Sequence, residues 1–142
     1  MPKNIKKKII LLFGPTASGK SRLADDIASE INAEIVNADS MQVYKEIKIL
    51  SARPLKKNKK HHLYGFTSVK KIFSTGSWYK IASKKIKQIN KKGKIALVVG
   101  GTGLYFKTLT DGFSEIPNVP KRYKNTKINK NFILKNPKIF KG

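Results

Sequence analysis

The 142-residue chain is 39% apolar and 27% charged, enough apolar content for one packed core and too little length for two well-built domains. It carries no cysteine, which excludes a disulfide framework, a thiolate zinc site and a cysteine nucleophile. The formal net charge of +23 points to a polyanionic partner, nucleic acid first, but 28 of the 31 cations are Lys in a Lys-, Ile- and Asn-rich chain, so compositional bias accounts for the charge equally well.

The basic start runs into five apolar residues, Ile9 to Phe13, far short of the roughly 20 a membrane span needs. With no small-residue cleavage site before Gly14, this reads as neither a signal peptide nor a span, and the expected setting is the cytoplasm. The run itself reads as a fully buried strand. From Ser21 the apolar residues Leu23, Ala24, Ile27, Ala28 and Ile31 fall on one face of a helix. Glu34–Asn37 reads as a second strand, ending at Ala38-Asp39-Ser40. Residues 53–62, polar, basic and proline-marked, read as a surface loop. Ser77 is positioned to cap a helix carrying Trp78, Ala82, Ile86 and Ile89, with Gly93 as its stop. Ile95–Val99 follows as a third buried strand and leads through Gly100-Gly101-Thr102-Gly103 into a short helix near Leu104–Leu109. Strands alternating with amphipathic helices predict an α/β fold, a P-loop NTPase-like parallel sheet with flanking helices. Residues 1–115 form this core. Residues 116–142 hold eight cations, no acid and no period, and read as a poorly ordered basic tail.

Gly14-Pro15-Thr16-Ala17-Ser18-Gly19-Lys20-Ser21 fits G-x-x-x-x-G-K-[ST] in full, between a predicted strand and a predicted helix. Glycines let successive N–H groups line a concavity around phosphate oxygens, and the helix N-terminus adds partial positive charge. Lys20 then neutralises the outer phosphate, and the Ser21 hydroxyl is the candidate ligand for Mg²⁺. A standard NTPase adds a strand-end Asp for the metal, but Ile95–Val99 ends in glycines. Asp39 is the acid at the end of a buried strand. Because ligands of a parallel sheet sit at strand C-termini, Asp39 should face the phosphate loop as metal ligand or general base, with a turn or cap role as the bland alternative. His61-His62 lacks companions for a metal site, and Trp78 reads as core. Gly100–Gly103 lies at the sheet edge where substrate binds.

GPTASGKS (14–21), NADSMQVYKE (37–46), RP (53–54), HHLYGF (61–66), STGSWY (74–79) and VVGGTGLYFKTLTDG (98–112) together resemble the tRNA dimethylallyltransferases over the first 115 to 120 residues. The resemblance implies transfer of a dimethylallyl group from dimethylallyl diphosphate to N6 of adenosine beside the anticodon (position 37) in tRNAs reading codons that start with U. It implies that Gly14 to Ser21 grips the diphosphate with Mg²⁺ and that Asp39 takes a proton from the adenine amine. Asp39, Ser40, Met41, Gln42, Thr102 and Lys124 would contact the tRNA anticodon loop, Lys124 standing where the family usually has Arg. The protein is expected to act as a monomer, off the membrane. Family members are about twice as long, so the fold is expected to be truncated. The tRNA-gripping helical insertion and further diphosphate-binding basic residues are not in this sequence, and the family pattern is read to end near residue 121, as after a frameshift or premature stop. Two other readings stay open. One is a P-loop nucleotide or small-molecule kinase that binds ATP, against which the missing strand-end Asp and arginine-bearing lid count. The other is an inactive basic remnant that binds RNA by charge alone.

Overall fold

A computed structural model describes residues 8–51 and 60–112. In chain order the elements are β1 (Ile9–Phe13), α1 (Lys20–Glu30), β2 (Ala33–Asn37), β3 (His61–His62), α2 (Thr75–Lys91), β4 (Ile95–Gly100) and α3 (Gly103–Asp111). The strands form one parallel sheet in the order β1-β4-β2-β3. The expected fold class is therefore observed.

Alternation along the strands sends side chains into two separate layers. Val36, Ala96 and Val98 pack against α2 through Trp78, Ala82, Ile86 and Ile89, and against α3 through Tyr105 and Phe106. On the other face Ile35, Leu97 and Val99 pack against Ala24 and Ala28 of α1. Small residues on α1 let that helix lie close to the sheet. Leu23 and Ile31, expected on its buried face, are exposed because the helix meets the strands along Ala24, Ala28 and the partly buried Ile27. Tyr105 stacks on Trp78 with ring centroids 4.2 Å apart, which joins α3 to α2.

Three local expectations need correcting. β1 is an edge strand, not a fully buried one: its register pairs it with β4 alone among the described residues, and Phe13 is 60% exposed. The cap of α2 is Ser74, whose Oγ accepts the Ser77 N–H at 3.1 Å; a cap hydroxyl precedes the helix and accepts from its second or third amide, and Ser77 lies inside the first turn as that third residue. His61 and His62, expected in a surface loop, pair beside β2 as β3. Residues 52–59 of that loop, with Arg53 and Pro54, lie outside the described residues, as does the predicted basic tail.

Beneath the sheet's far end, Glu34 is buried on β2 and pairs with Lys94 at 2.8 Å, His62 at 2.6 Å and Lys92 at 3.7 Å. Burial alone would raise the carboxyl, but the hydrogen bonds from Lys94 and His62 and the two lysine charges hold it at about 2. Burial is also the main force lowering His62, so its ring is neutral and donates to Glu34. This cluster fastens β2, β3 and the entry to β4.

Candidate active site at the strand ends

β1 leads into α1 on one face of the sheet, while the adjacent β4 leads into α3 on the other. The two loops part at that point and leave a crevice beyond the strand C-termini. A cavity of about 380 Å³ occupies it, walled by residues 16–22 of the glycine loop, Asp39, Gln42, Tyr64, Val99 and Gly100.

The loop takes its shape from backbone that most residues avoid. Gly19 sits at φ 81° and Ala17 at φ 62°, both left-handed, which turns the chain back over the N-terminus of α1. The Ser18 hydroxyl donates to the Pro15 carbonyl at 2.8 Å and closes the turn from within. The Lys20 ammonium donates to the same carbonyl and lies 3.4 Å from Ser18 Oγ, so the cation is held inside the loop's cup. Gly14 and Pro15 stand behind the cup and shape it, Gly14 N–H donating to the Gly100 carbonyl at 3.3 Å. Thr16 to Ser21 form the wall.

Asp39 follows β2 by two residues and is half-buried. Asn37, fully buried, holds it: Asn37 Oδ1 accepts the Asp39 N–H at 3.1 Å, while Nδ2 donates to the carbonyls of Asp39 and Leu63, each at 3.1 Å. Trp78 Nε1 donates to the Asn37 carbonyl at 2.9 Å, so α2's first turn is pinned beneath the same point. Asp39 Oδ1 accepts the Met41 N–H at 2.9 Å, which is the turn role weighed above. The other oxygen, Oδ2, lies on the Gly101 side, 3.9 Å from where a Cβ of residue 101 would stand. One carboxylate thus serves the turn with one oxygen and the cavity with its body.

Room for Asp39 and the glycine loop to wall one cavity comes from the absence of side chains on β4's exit. A Cβ on Gly100 would lie 2.2 Å from both the carbonyl carbon and the carbonyl oxygen of Ala38, and one on Gly101 would lie 3.2 Å from the Gly14 carbonyl. Thr102 completes the clasp: its N–H donates to the Ala38 carbonyl at 3.2 Å, and its Oγ1 accepts the Ser40 N–H at 2.8 Å. The structure thus brings Thr102 and Ser40, both expected tRNA contacts, together at one point. Gln42 reaches the cavity wall, but its Nε2 is engaged with the Ser51 carbonyl at 2.9 Å. Met41 points to the surface at 54% exposure. Lys124 lies outside the described residues.

Asn37, Arg22 and Tyr64 belong to this site and were not singled out from sequence. Tyr64 is buried against the cavity, and burial, with Asp25 and Asp39 nearby, pushes its phenol well up, so it stays neutral. It sits in the HHLYGF run, but only the fold carries that run to the strand ends. Among the described residues, no group of three or more His, Asp or Glu side chains is placed to hold a metal ion. A divalent cation would rely on the Ser21 hydroxyl, Asp39, phosphate oxygens and water, the oxygen-rich and mostly non-protein shell that Mg²⁺ prefers.

A family model described as IPP transferase matches residues 42–137. The tRNA dimethylallyltransferase of Pelagibacter ubique is 57% identical over 123 residues, covering 84% of this chain and 39% of that relative. The chain belongs to the IPP transferase family. The family match runs beyond residue 121, where the sequence alone reads as leaving the pattern. The tRNA dimethylallyltransferase of Rickettsia felis is 50% identical over 117 residues. The full-length tRNA isopentenylpyrophosphate transferase of Bacillus halodurans superposes with a TM-score of 0.72 at 30% identity, over 84% of this chain and 41% of that one. A eukaryotic dimethylallyltransferase seen acting on tRNA gives 0.76 at 27% identity, over 93% of this chain and 37% of its own. The chain spans about two fifths of the length of the IPP transferases it matches. No helix among the described residues is long and apolar enough to cross a membrane.

Proposed function

We propose that this IPP transferase segment carries the donor and base-activating part of a site that moves a dimethylallyl group from dimethylallyl diphosphate to N6 of adenosine 37 in tRNA. The observation that carries the reading is that Asp39 and residues 16–22 of the glycine loop wall one cavity, with Gly100 and Gly101 leaving room between them. An aromatic amine is a poor nucleophile, and a carboxylate placed over it takes the proton as the new N–C bond forms. The allylic C–O bond breaks at the same carbon, and the electron pair leaves with the diphosphate. Loop amides and the Lys20 ammonium neutralise that developing charge. The Ser21 hydroxyl would hold Mg²⁺, which would supply Lewis-acid charge at the phosphates. The adenine must leave its stack to reach Asp39, and the Thr102–Ser40 clasp sets the rim it passes. We place the reaction in the cytoplasm, where tRNA and a soluble diphosphate meet.

A P-loop kinase is a poorer fit. The strand paired with β1 leaves the sheet through Gly100 and Gly101, and the acid stands instead beyond β2.

The test measures transfer of labelled dimethylallyl to tRNA together with binding of inorganic diphosphate. Lys20→Ala should weaken diphosphate binding roughly tenfold to a hundredfold, the scale of one charge-assisted contact. Asp39→Ala should leave that binding within about twofold while lowering transfer by roughly a hundredfold or more. Phosphoryl transfer from ATP, or transfer untouched by Asp39→Ala, would overturn the proposal.

A further inference from the structure

The helices on the two faces of the sheet carry opposite charge. α1 presents Asp25, Asp26 and Glu30 to solvent, and its cations, Lys20 and Arg22, stand at the phosphate-loop end. α2, on the other face, has five lysines and no acid in its 17 residues. A Lys-rich composition by itself would scatter cations over both outer faces, so this difference is one of placement.

α2 turns Trp78, Ala82, Ile86 and Ile89 to the core. The helical period puts Lys80, Lys84, Lys87 and Lys91 on the opposite side, where with Ser83 and Gln88 they line a groove of about 350 Å³. At 1.5 Å per residue the row runs about 16 Å along the helix. Lys84, Lys87 and Lys91 are exposed and enter no ion pair among the described residues. Like charges at three- and four-residue steps destabilise a helix, and an anion spanning the row would relieve them all at once.

The chemistry of the row narrows the anion. Its lining offers ammonium, hydroxyl and amide groups but no aromatic ring, so it suits a sugar-phosphate backbone and gives unpaired bases nothing to stack on. The apolar side of α2 is taken up by the core, which leaves none to enter a bilayer. Trp78 pins the first turn of α2 beneath Asn37, so the Lys80 end of the row is the end nearer the crevice. We propose that the outer face of α2 is a docking surface for the phosphate backbone of double-stranded RNA, separate from the contacts an anticodon loop would make at the crevice. RNA as the partner rests on the reading above. The lysines that would hold it are distinct from Lys20 and Asp39, so the two can fail separately.

The experiment titrates the full chain with a blunt-ended RNA duplex that has no loop, over a range of salt concentrations. Phosphate contacts release counterions, so the triple variant Lys84→Gln, Lys87→Gln and Lys91→Gln should flatten the slope of log K against log[salt] by about 2 to 3. Affinity at physiological salt should fall at least tenfold. Arginine at the same three positions should keep both slope and affinity, since charge is what the contact needs. A charge-matched variant of exposed lysines off the helix, Lys45→Gln, Lys70→Gln and Lys71→Gln, should change the slope by less than about 1. Binding of inorganic diphosphate should stay within about twofold in the α2 variant, which shows that the fold and the phosphate loop are intact. A slope unmoved by the α2 variant overturns the proposal, as does an equal change in the charge-matched variant. Tighter binding to phosphatidylserine vesicles or to polyglutamate than to the duplex at equal salt overturns it too. Absence of diphosphate binding by the unaltered chain, with the salt slopes as expected, overturns the donor site and upholds the α2 surface.

Discussion

β1 and β4 are neighbouring strands of similar apolar character with opposite fates. IILLF is exposed along most of its length, while Ala96 to Val99 of IALVVG are each at most 4% exposed. β4 has strands on both sides and helices on both faces; β1 has β4 alone among the described residues. The difference teaches that burial is conferred by neighbours and not carried by the residues. It also divides the site. The Asp39 side is held by a dense set of contacts through Asn37, Trp78 and Thr102, whereas the glycine-loop side follows a strand with one neighbour among the described residues.

The sharpest way to break this contrast is Gly100→Val, which drives a Cβ into the Ala38 backbone. It should cost about 3 kcal/mol or more and separate Asp39 from the loop, seen as a collapse in thermal unfolding temperature. The contrast itself is measured by paired truncations: Leu97→Ala, fully buried, should cost about 3 kcal/mol, and Leu11→Ala, 39% exposed, about 1 kcal/mol or less in denaturant unfolding. Comparable losses would show that β1 is covered after all.

Acid should reach the fastened side next. Glu34 ionises at about 2 when folded and near 4.5 when free, so its contribution is fully present above pH 4.5 and disappears as pH falls towards 2. That is worth about 3 kcal/mol at neutral pH, and Glu34→Gln should flatten this part of the stability–pH curve. His62, held below 6.5, adds a smaller loss in the same direction as pH falls below 6.5. The smallest effect is that of Trp78→Phe, which keeps the ring stack and removes the bond to the Asn37 carbonyl, for about 1 kcal/mol.

The chain's own letters determined a good deal. Full apolar runs and an uninterrupted G-x-x-x-x-G-K-S between strand and helix leave few folds and a specific loop shape, because short-range backbone geometry is encoded locally. Asp39 was legible for the same reason, as an acid at a strand's end. Other features depend on contacts between distant segments. The neutral Tyr64 in the cavity wall, the Asn37 clamp and the Thr102–Ser40 clasp join residues up to 62 positions apart. The strand order was likewise decided in three dimensions: β4 enters between β1 and β2, which sets the glycines of its exit against Ala38 and leaves β1 with one neighbour among the described residues. Period and composition record which residues tend to be buried; which of them find a neighbour is settled only when the crossovers choose their faces.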